Sequence, residues 1–289
     1  MKRIVTIQDI SCVGKCSATV VLPVLSAMGV EAALLPTAVL STHTMFPHPA
    51  VLSLEDMIEP IMQHWLEEGV TFDAVYSGYL ASKRQIGLVQ ELFEHFGSGD
   101  TIRIVDPAMA DHGKLYSGFD ADFPRAMAGL CAQADYILPN FTEACLMTGR
   151  DYCEVPDAEK IRELLDALAQ LGTRRAVVIT GVTGGSAPQK RSGEEPENCF
   201  TGASGLDLET GEYFEVRQEM LPVSFHGTGD LFAAVTSGAL TKGMALREAL
   251  QLAADFVHAA IRETVEHDPN KDKRFGVNFE PVLSMLTAL

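Results

Sequence analysis

The sequence predicts an α/β protein: one domain spanning residues 1–289, with a largely parallel central sheet, helices on both faces and a small β-hairpin at one edge. Three observations predict it. Short apolar, β-branched runs alternate with longer segments of helical spacing almost throughout, which favours parallel strands joined by right-handed crossovers. No linker-like break or internal repeat divides the chain. A chain of 289 residues with 47% hydrophobic content can bury one large core.

The elements follow in order. Arg3–Gln8 reads as a buried strand that breaks at Asp9. A turn containing Gly14 precedes a helix over Ser17–Met28, with Pro23 implying a kink or a late start. Ala32–Leu40 is a strand, and the proline-punctuated Ser41–Pro49 reads as a binding loop. Leu54–Glu68 has a helical stripe of Leu54, Met57, Ile58, Ile61, Met62 and Trp65, which is ordinary core packing. Asp73–Tyr76 and Ile102–Val105 are strands, and Ser82–Phe96 is a helix between them. Phe123–Ala134 is a helix, Tyr136–Leu138 a short strand, and a helix opens after Pro139-Asn140. Ile161–Leu171 is helical and Ala176–Thr180 is a buried strand ending at Thr180-Gly181.

Residues 184–198 are rich in Gly, Ser, Pro and charge and read as an exposed loop or hairpin tip, a candidate lid. Cys199–Leu208 and Glu212–Gln218 flank Glu209-Thr210-Gly211 as a hairpin. Helices Leu231–Thr241 and Leu246–Glu266 and an amphipathic piece, Glu280–Leu286, close the chain.

Bulk charge narrows the partners. With 39 acids against 22 bases the net charge is −17, which repels nucleic acid and anionic membranes. No apolar run is long enough to span a bilayer, and Met1-Lys2-Arg3 leads straight into Ile4–Ile7 without a signal-peptide core, so the expectation is a cytoplasmic protein. The six cysteines are scattered, so free thiols are expected. Cys12 and Cys16 lack the further ligands of a zinc site, and His43 and His48 do not favour a joint one.

The chemistry concentrates at strand ends. Gly227-Thr228-Gly229-Asp230 sits just before an apolar, Ala-rich helix start. Glycines admit close backbone approach, and the first N–H groups of a helix are free and electropositive, so this turn can cradle a phosphate. Asp230 then stands where a general base for an attacking hydroxyl would stand. Taken alone, the motif also fits an ordinary helix start with an acid in its first turn. Asp9, Ser11, Thr44, Tyr79, Asp106, Asn140 and Thr180 fall at further strand ends. A parallel sheet gathers these ends on one edge. Asn140 with Glu143 three residues on reads first as a helix capping box; its functional reading is a carboxylate holding hydrated Mg²⁺ near phosphates. The convergence points to phosphoryl transfer to a small hydroxylated substrate. No Gly-x-x-x-x-Gly-Lys-Ser/Thr P-loop, Gly-x-Gly-x-x-Gly after the first strand, or protein-kinase signature is present.

Six motifs in order carry a family resemblance: Ile7-Gln8-Asp9, Ser41-Thr42-His43-Thr44, Ser77-Gly78-Tyr79-Leu80, Asp106-Pro107-Ala108-Met109, Pro139-Asn140-Phe141-Thr142-Glu143 and Gly227-Thr228-Gly229-Asp230. Nearly end to end, the chain resembles the pyridoxal kinases of the ribokinase-like superfamily. The resemblance implies a homodimer that transfers phosphate from ATP to the 5′-hydroxymethyl group of a vitamin B6 vitamer. It implies backbone N–H groups of Gly227, Thr228 and Gly229 as the anion hole and Asp230 as the base. Glu143, with Asn140 and Asp106, would arrange Mg²⁺ and the ATP phosphates, and Thr180-Gly181 would touch the nucleotide. Thr44 and Tyr79 would hold the pyridine ring, with Asp9 and Ser11 beside it. A monovalent cation such as K⁺ stays open.

One departure concerns specificity. Asp9 stands where these kinases commonly carry a Ser, so it could pair with a protonated ring nitrogen or an aminomethyl group and favour pyridoxamine. The related hydroxymethylpyrimidine kinases of thiamin biosynthesis use a similar aromatic alcohol and are the alternative. Sugar kinases of the superfamily are disfavoured because Ser41–Ser53 is too short for their β-strand lid. A non-catalytic B6- or nucleotide-binding protein is disfavoured because Asp230, Gly227 and Gly229 are all present.

Overall fold

The computed structural model of the protein describes residues 1–184 and 199–287, so most of the candidate lid lies outside the described residues. The chain opens with β1 (Arg3–Ser11), α1 (Ala18–Ala27), β2 (Glu31–Leu40), β3 (Val51–Ser53) and α2 (Glu55–Glu67). It continues through β4 (Ala74–Ser77), α3 (Lys83–Phe96), β5 (Ile102–Val105), the two-residue strands β6 (Ala110–Asp111) and β7 (Lys114–Leu115), and α4 (Phe123–Cys131). Then come β8 (Tyr136–Ile137), α5 (Phe141–Thr148), α6 (Ala158–Ala169), β9 (Ala176–Gly184), β10 (Phe200–Asp207) and β11 (Tyr213–Glu219). Helices α7 (Thr228–Thr241) and α8 (Leu246–His267) and two 3₁₀ turns, Lys273–Phe275 and Glu280–Leu286, complete it.

Nine strands form one sheet in the order β11-β10-β9-β8-β5-β4-β1-β2-β3. The six from β9 to β2 in that order pair in parallel. The expected hairpin β10–β11 is antiparallel and closes one edge. Strand alternation sorts the core. Val5 and Ile7 of β1 pack with α2 to α6 on one face, whereas Ile4 packs with α1, α7 and α8 on the other. Helices cover both faces of the parallel strands, and in such sheets ligands usually bind at the carboxyl ends of the strands.

The structure corrects several boundaries. β1 does not break at Asp9. It continues to Ser11 through a bulge between Gln8 and Ile10, where its register against β2 shifts. A bulge of this kind re-aims a side chain without ending the strand. After the 41–50 loop, β3 returns antiparallel along β2, an edge strand too short to read from alternation. After β5, Asp111 lies in a tight β6–β7 hairpin whose two-residue strands are too short to read from the sequence. β9 runs past Thr180-Gly181 to Gly184, because β10 continues the ladder beyond the parallel partners. α4 ends at Cys131 and α7 starts at Thr228, earlier than the apolar run suggests.

Candidate active site at the carboxyl edge of the sheet

The anion turn is built from backbone. Gly227 is the N-cap of α7 with φ +79, a conformation that glycine adopts without strain. No side chain caps this helix among the described residues, so its first N–H groups stay available. A Cβ at Gly227 would stand 2.2 Å from the Lys15 carbonyl oxygen, whereas one at Gly229 would meet only open space. Gly229 is exposed and Gly227 and Thr228 are half-buried, so the turn faces solvent on one side and the β1–α1 loop on the other.

Asp230 follows in the first turn of α7. Burial pushes its carboxyl up to about 7, and the charge of Asp9 adds to this, while the backbone N–H of Ser17 faces the carboxylate and opposes the rise. Asp106, at the end of β5, is pushed well above the usual carboxylate range by burial and then by Glu143 and Asp230. Glu143 is raised to about 8 by burial, against three opposing backbone N–H groups. Those donors are Asn140 at 2.8 Å, Met109 at 3.0 Å and Ala110 at 3.4 Å. Asn140 Oδ1 accepts the Glu143 N–H at 3.0 Å, which completes a capping box at the start of α5. Asn140 Nδ2 also donates to the Ala110 carbonyl at 2.8 Å, so α5 and the segment after β5 form one unit.

The acids therefore lie within reach of one another. The charges of Glu143 and Asp230 raise Asp106, and that of Asp9 raises Asp230; buried acids shifted by neighbouring acids mark a functional-site candidate. Among the described residues no three His, Cys, Asp or Glu side chains stand close enough to hold a metal ion by themselves. Thr180 joins from β9: its N–H donates to the Pro139 carbonyl at 2.8 Å, and it bridges to Asn140. Gly181 beside it has φ +67 and is exposed.

Asp9 and Ser11 stand at the end of β1, Tyr79 follows β4, and Thr44 lies in the loop after β2. Ser11 donates to Asp9 Oδ2 at 2.9 Å, and both residues are buried. Burial, and then the charge of Asp9, raises the Tyr79 phenol. The Tyr79 ring packs 5.8 Å from Phe119. Thr44 is exposed, and its neighbour His43 is the buried residue of that loop.

His43 was not among the sequence candidates. Its Nε2 meets the Arg274 carbonyl at 2.7 Å, and its ring stacks on His226 at 3.8 Å. His226 immediately precedes the anion turn, and burial followed by the His43 charge lowers it to about 4. Tyr116 of the segment after β7 also faces the acids: burial and the charges of Glu143, Asp111, Asp106 and Asp230 raise its phenol. His43 lies inside the Ser41–Thr44 motif and His226 directly before Gly227–Asp230, which was the signal available for the histidines; Tyr116 had none.

Comparison with known proteins agrees with this geometry. The phosphomethylpyrimidine kinase family model matches residues 22–274. A Bacteroides thetaiotaomicron protein, provisionally named a phosphomethylpyrimidine kinase and solved in an orthorhombic form with pyridoxal, superposes with a TM-score of 0.88 at 35% identity, covering 99% of this chain and 95% of its own. The pyridoxal kinase of Lactobacillus plantarum superposes with a TM-score of 0.85 at 34% identity, covering 100% and 97%. The hydroxymethylpyrimidine/phosphomethylpyrimidine kinase of Rhizobium meliloti is 28% identical over 82% of this chain and 81% of its own. The uncapped glycine turn, the enclosed acid after it and these likenesses lead to one conclusion: the chain belongs to the phosphomethylpyrimidine kinase family and is a pyridoxal kinase-like protein.

Proposed function

We propose that the protein transfers the γ-phosphoryl group of ATP to the 5′-hydroxymethyl group of a vitamin B6 vitamer. The observation that carries this reading is Asp230, an enclosed carboxyl in the first turn of a helix whose N-terminal N–H groups have no side-chain cap. The N–H groups of Gly227, Thr228 and Gly229 bind the phosphoryl oxygens as charge moves across them. Asp230 accepts the hydroxyl proton as the new O–P bond forms and the bond to the ADP oxygen breaks. Thr180 and Gly181 line the nucleotide side. Thr44, Tyr79, Asp9 and Ser11 hold the ring.

The donor set fits Mg²⁺ in its usual hydrated form. Mg²⁺ binds through one or two carboxylates, waters and substrate phosphates rather than an all-protein cage. Asp106 is the carboxylate free to do this, since both Glu143 oxygens take backbone N–H groups. Glu143 with Asn140 then acts through water and by its charge. When bound, Mg²⁺ neutralises charge on the phosphates.

Hydroxymethylpyrimidine phosphorylation is the second reading, favoured by the matching family model and the Rhizobium relative. The pyridoxal form of the Bacteroides relative supports the first. The test is ATP- and Mg²⁺-dependent ADP release with pyridoxal, pyridoxamine, pyridoxine, hydroxymethylpyrimidine and ribose. Turnover confined to the B6 vitamers is expected. Turnover on the pyrimidine or the sugar alone moves the substrate, and ligand binding without any turnover defeats the kinase reading.

A further inference from the structure

The β1–α1 loop is held in a conformation that its own residues avoid. Gly14, Lys15 and Ser17 have φ of 125, 50 and 48. Two of these are non-glycine residues in the left-handed region, which persists only when the surroundings impose it. The surroundings here are the carboxyl-terminal turns. Lys15 Nζ donates to Glu280 Oε2 at 2.7 Å, to the Val277 carbonyl at 3.1 Å and to Asn278 Oδ1 at 3.4 Å. It also lies 5.4 Å over the Phe279 ring. Asn278 is itself anchored: its N–H donates to Thr264 Oγ1 of α8 at 2.7 Å, and Lys271 Nζ reaches its Oδ1 at 2.7 Å.

The same loop touches the anion turn and the acid. The Lys15 carbonyl occupies the space a Gly227 Cβ would need, and Gly276 presses on the other side, where a Cβ would lie 2.9 Å from the Lys15 Cβ. Two residues on, the Ser17 N–H faces the Asp230 carboxylate. The Lys15 ammonium, by contrast, is engaged with carboxyl-terminal acceptors and is not directed at the acids. Any influence it has on the chemistry must pass through the backbone.

We propose that Lys15 is a positioning residue: by bonding the 276–280 turn it clamps the loop 14–17 in its left-handed form, and so aims the Ser17 N–H and the anion turn at Asp230. This rests on the reading of Asp230 as the base. The carboxyl-terminal turns are then part of the catalytic apparatus without touching substrate.

The experiment measures kcat and both KM values by ADP release with the preferred alcohol, for Lys15→Met, Lys15→Arg and Glu280→Gln, with melting curves beside them. Misplacing a base by a fraction of an ångström through a remote change lowers rate more than binding. Lys15→Met is expected to lower kcat about tenfold, with either KM changed by less than about twofold, and to move the midpoint of the pH–rate profile. Lys15→Arg should restore most of the rate, and Glu280→Gln should show a smaller loss of the same kind. Wild-type kcat in folded Lys15→Met overturns the proposal. So does a raised KM for ATP at unchanged kcat, which would make Lys15 a nucleotide ligand. So does a loss of rate that merely tracks the folded fraction. Asp230→Asn in the same assay separates the two readings. An active Asp230→Asn removes the base assignment and the proposal together. An inactive one beside an unimpaired Lys15→Met removes the positioning role alone.

Discussion

Asn140 and Glu143 hold each other reciprocally: Asn140 Oδ1 accepts the Glu143 N–H at 3.0 Å, and Glu143 Oε2 accepts the Asn140 N–H at 2.8 Å. The motif is thus a true capping box, and its carboxylate also satisfies Met109 and Ala110 beyond the helix. A structural and a functional role are compatible in one residue. Glu143→Ala strands three backbone donors and should cost about 1–3 kcal/mol of stability. Glu143→Gln keeps an acceptor of the same length and should melt close to wild type, yet raise the Mg²⁺ concentration needed for half-maximal kcat. Thermal melts and Mg²⁺ titrations of both variants check this. An unchanged Mg²⁺ dependence in Glu143→Gln leaves the residue with the cap alone.

The two glycines of the anion turn should separate packing from chemistry. Gly227→Ala combines a left-handed φ with a clash 2.2 Å from the Lys15 carbonyl, and should lower the melting temperature by several degrees, corresponding to about 2 kcal/mol or more. Gly229→Ala has room for its Cβ and should melt like wild type. Its kcat/KM should still fall by about tenfold, because a methyl group there crowds the approach of the anion to the N–H groups. Wild-type kinetics in Gly229→Ala would take that N–H out of the anion hole.

Asp230 gives the pH dependence. Its carboxyl is raised to about 7, so the free enzyme should gain kcat/KM with rising pH through a midpoint near 7, where the base loses its proton. The Ser17 N–H of the β1–α1 loop and Asp9 of β1 bear on it, and its charge in turn raises Cys16, Tyr76 of β4, Asp106 and Tyr116. Bound Mg²⁺ opposes these acids, so the midpoint in kcat should lie below that in kcat/KM. Stability moves the other way. The folded value lies above that of an unfolded Asp, so the contribution is full below about pH 4 and is lost as pH rises through about 7. Asp230→Asn should therefore stabilise the ligand-free protein at pH 8 while lowering kcat by ~10²–10⁴. Full activity in this variant would remove Asp230 from the mechanism.

Asp9 sits on the β1 bulge with its Oδ2 bound by Ser11, facing the Tyr79 side of the site. Asp9→Ser should shift the ratio of pyridoxal to pyridoxamine turnover towards pyridoxal, by about tenfold where a charged contact to the amine is lost. Equal ratios before and after mean that Asp9 reads no ring substituent.

The alternation of apolar runs and helical spacing determined the parallel core, the β10–β11 hairpin and the strand ends at which Asp106, Asn140 and the Gly227–Asp230 turn stand, because period and turn chemistry are local properties of the chain. The Asn140–Glu143 box was legible for the same reason: it lies within four consecutive residues. Tertiary structure alone decided the β1 bulge at Asp9, the stacking of His43 on His226 and the seat of Lys15 among residues 277–280. Each depends on partners from 28 to 265 positions away. Nothing within a few residues of His43 or Lys15 distinguishes a buried, partnered side chain from a solvated one. Only the folding of the chain's two ends against each other supplies the burial and the charges that set Asp230 apart from an ordinary helix-start acid.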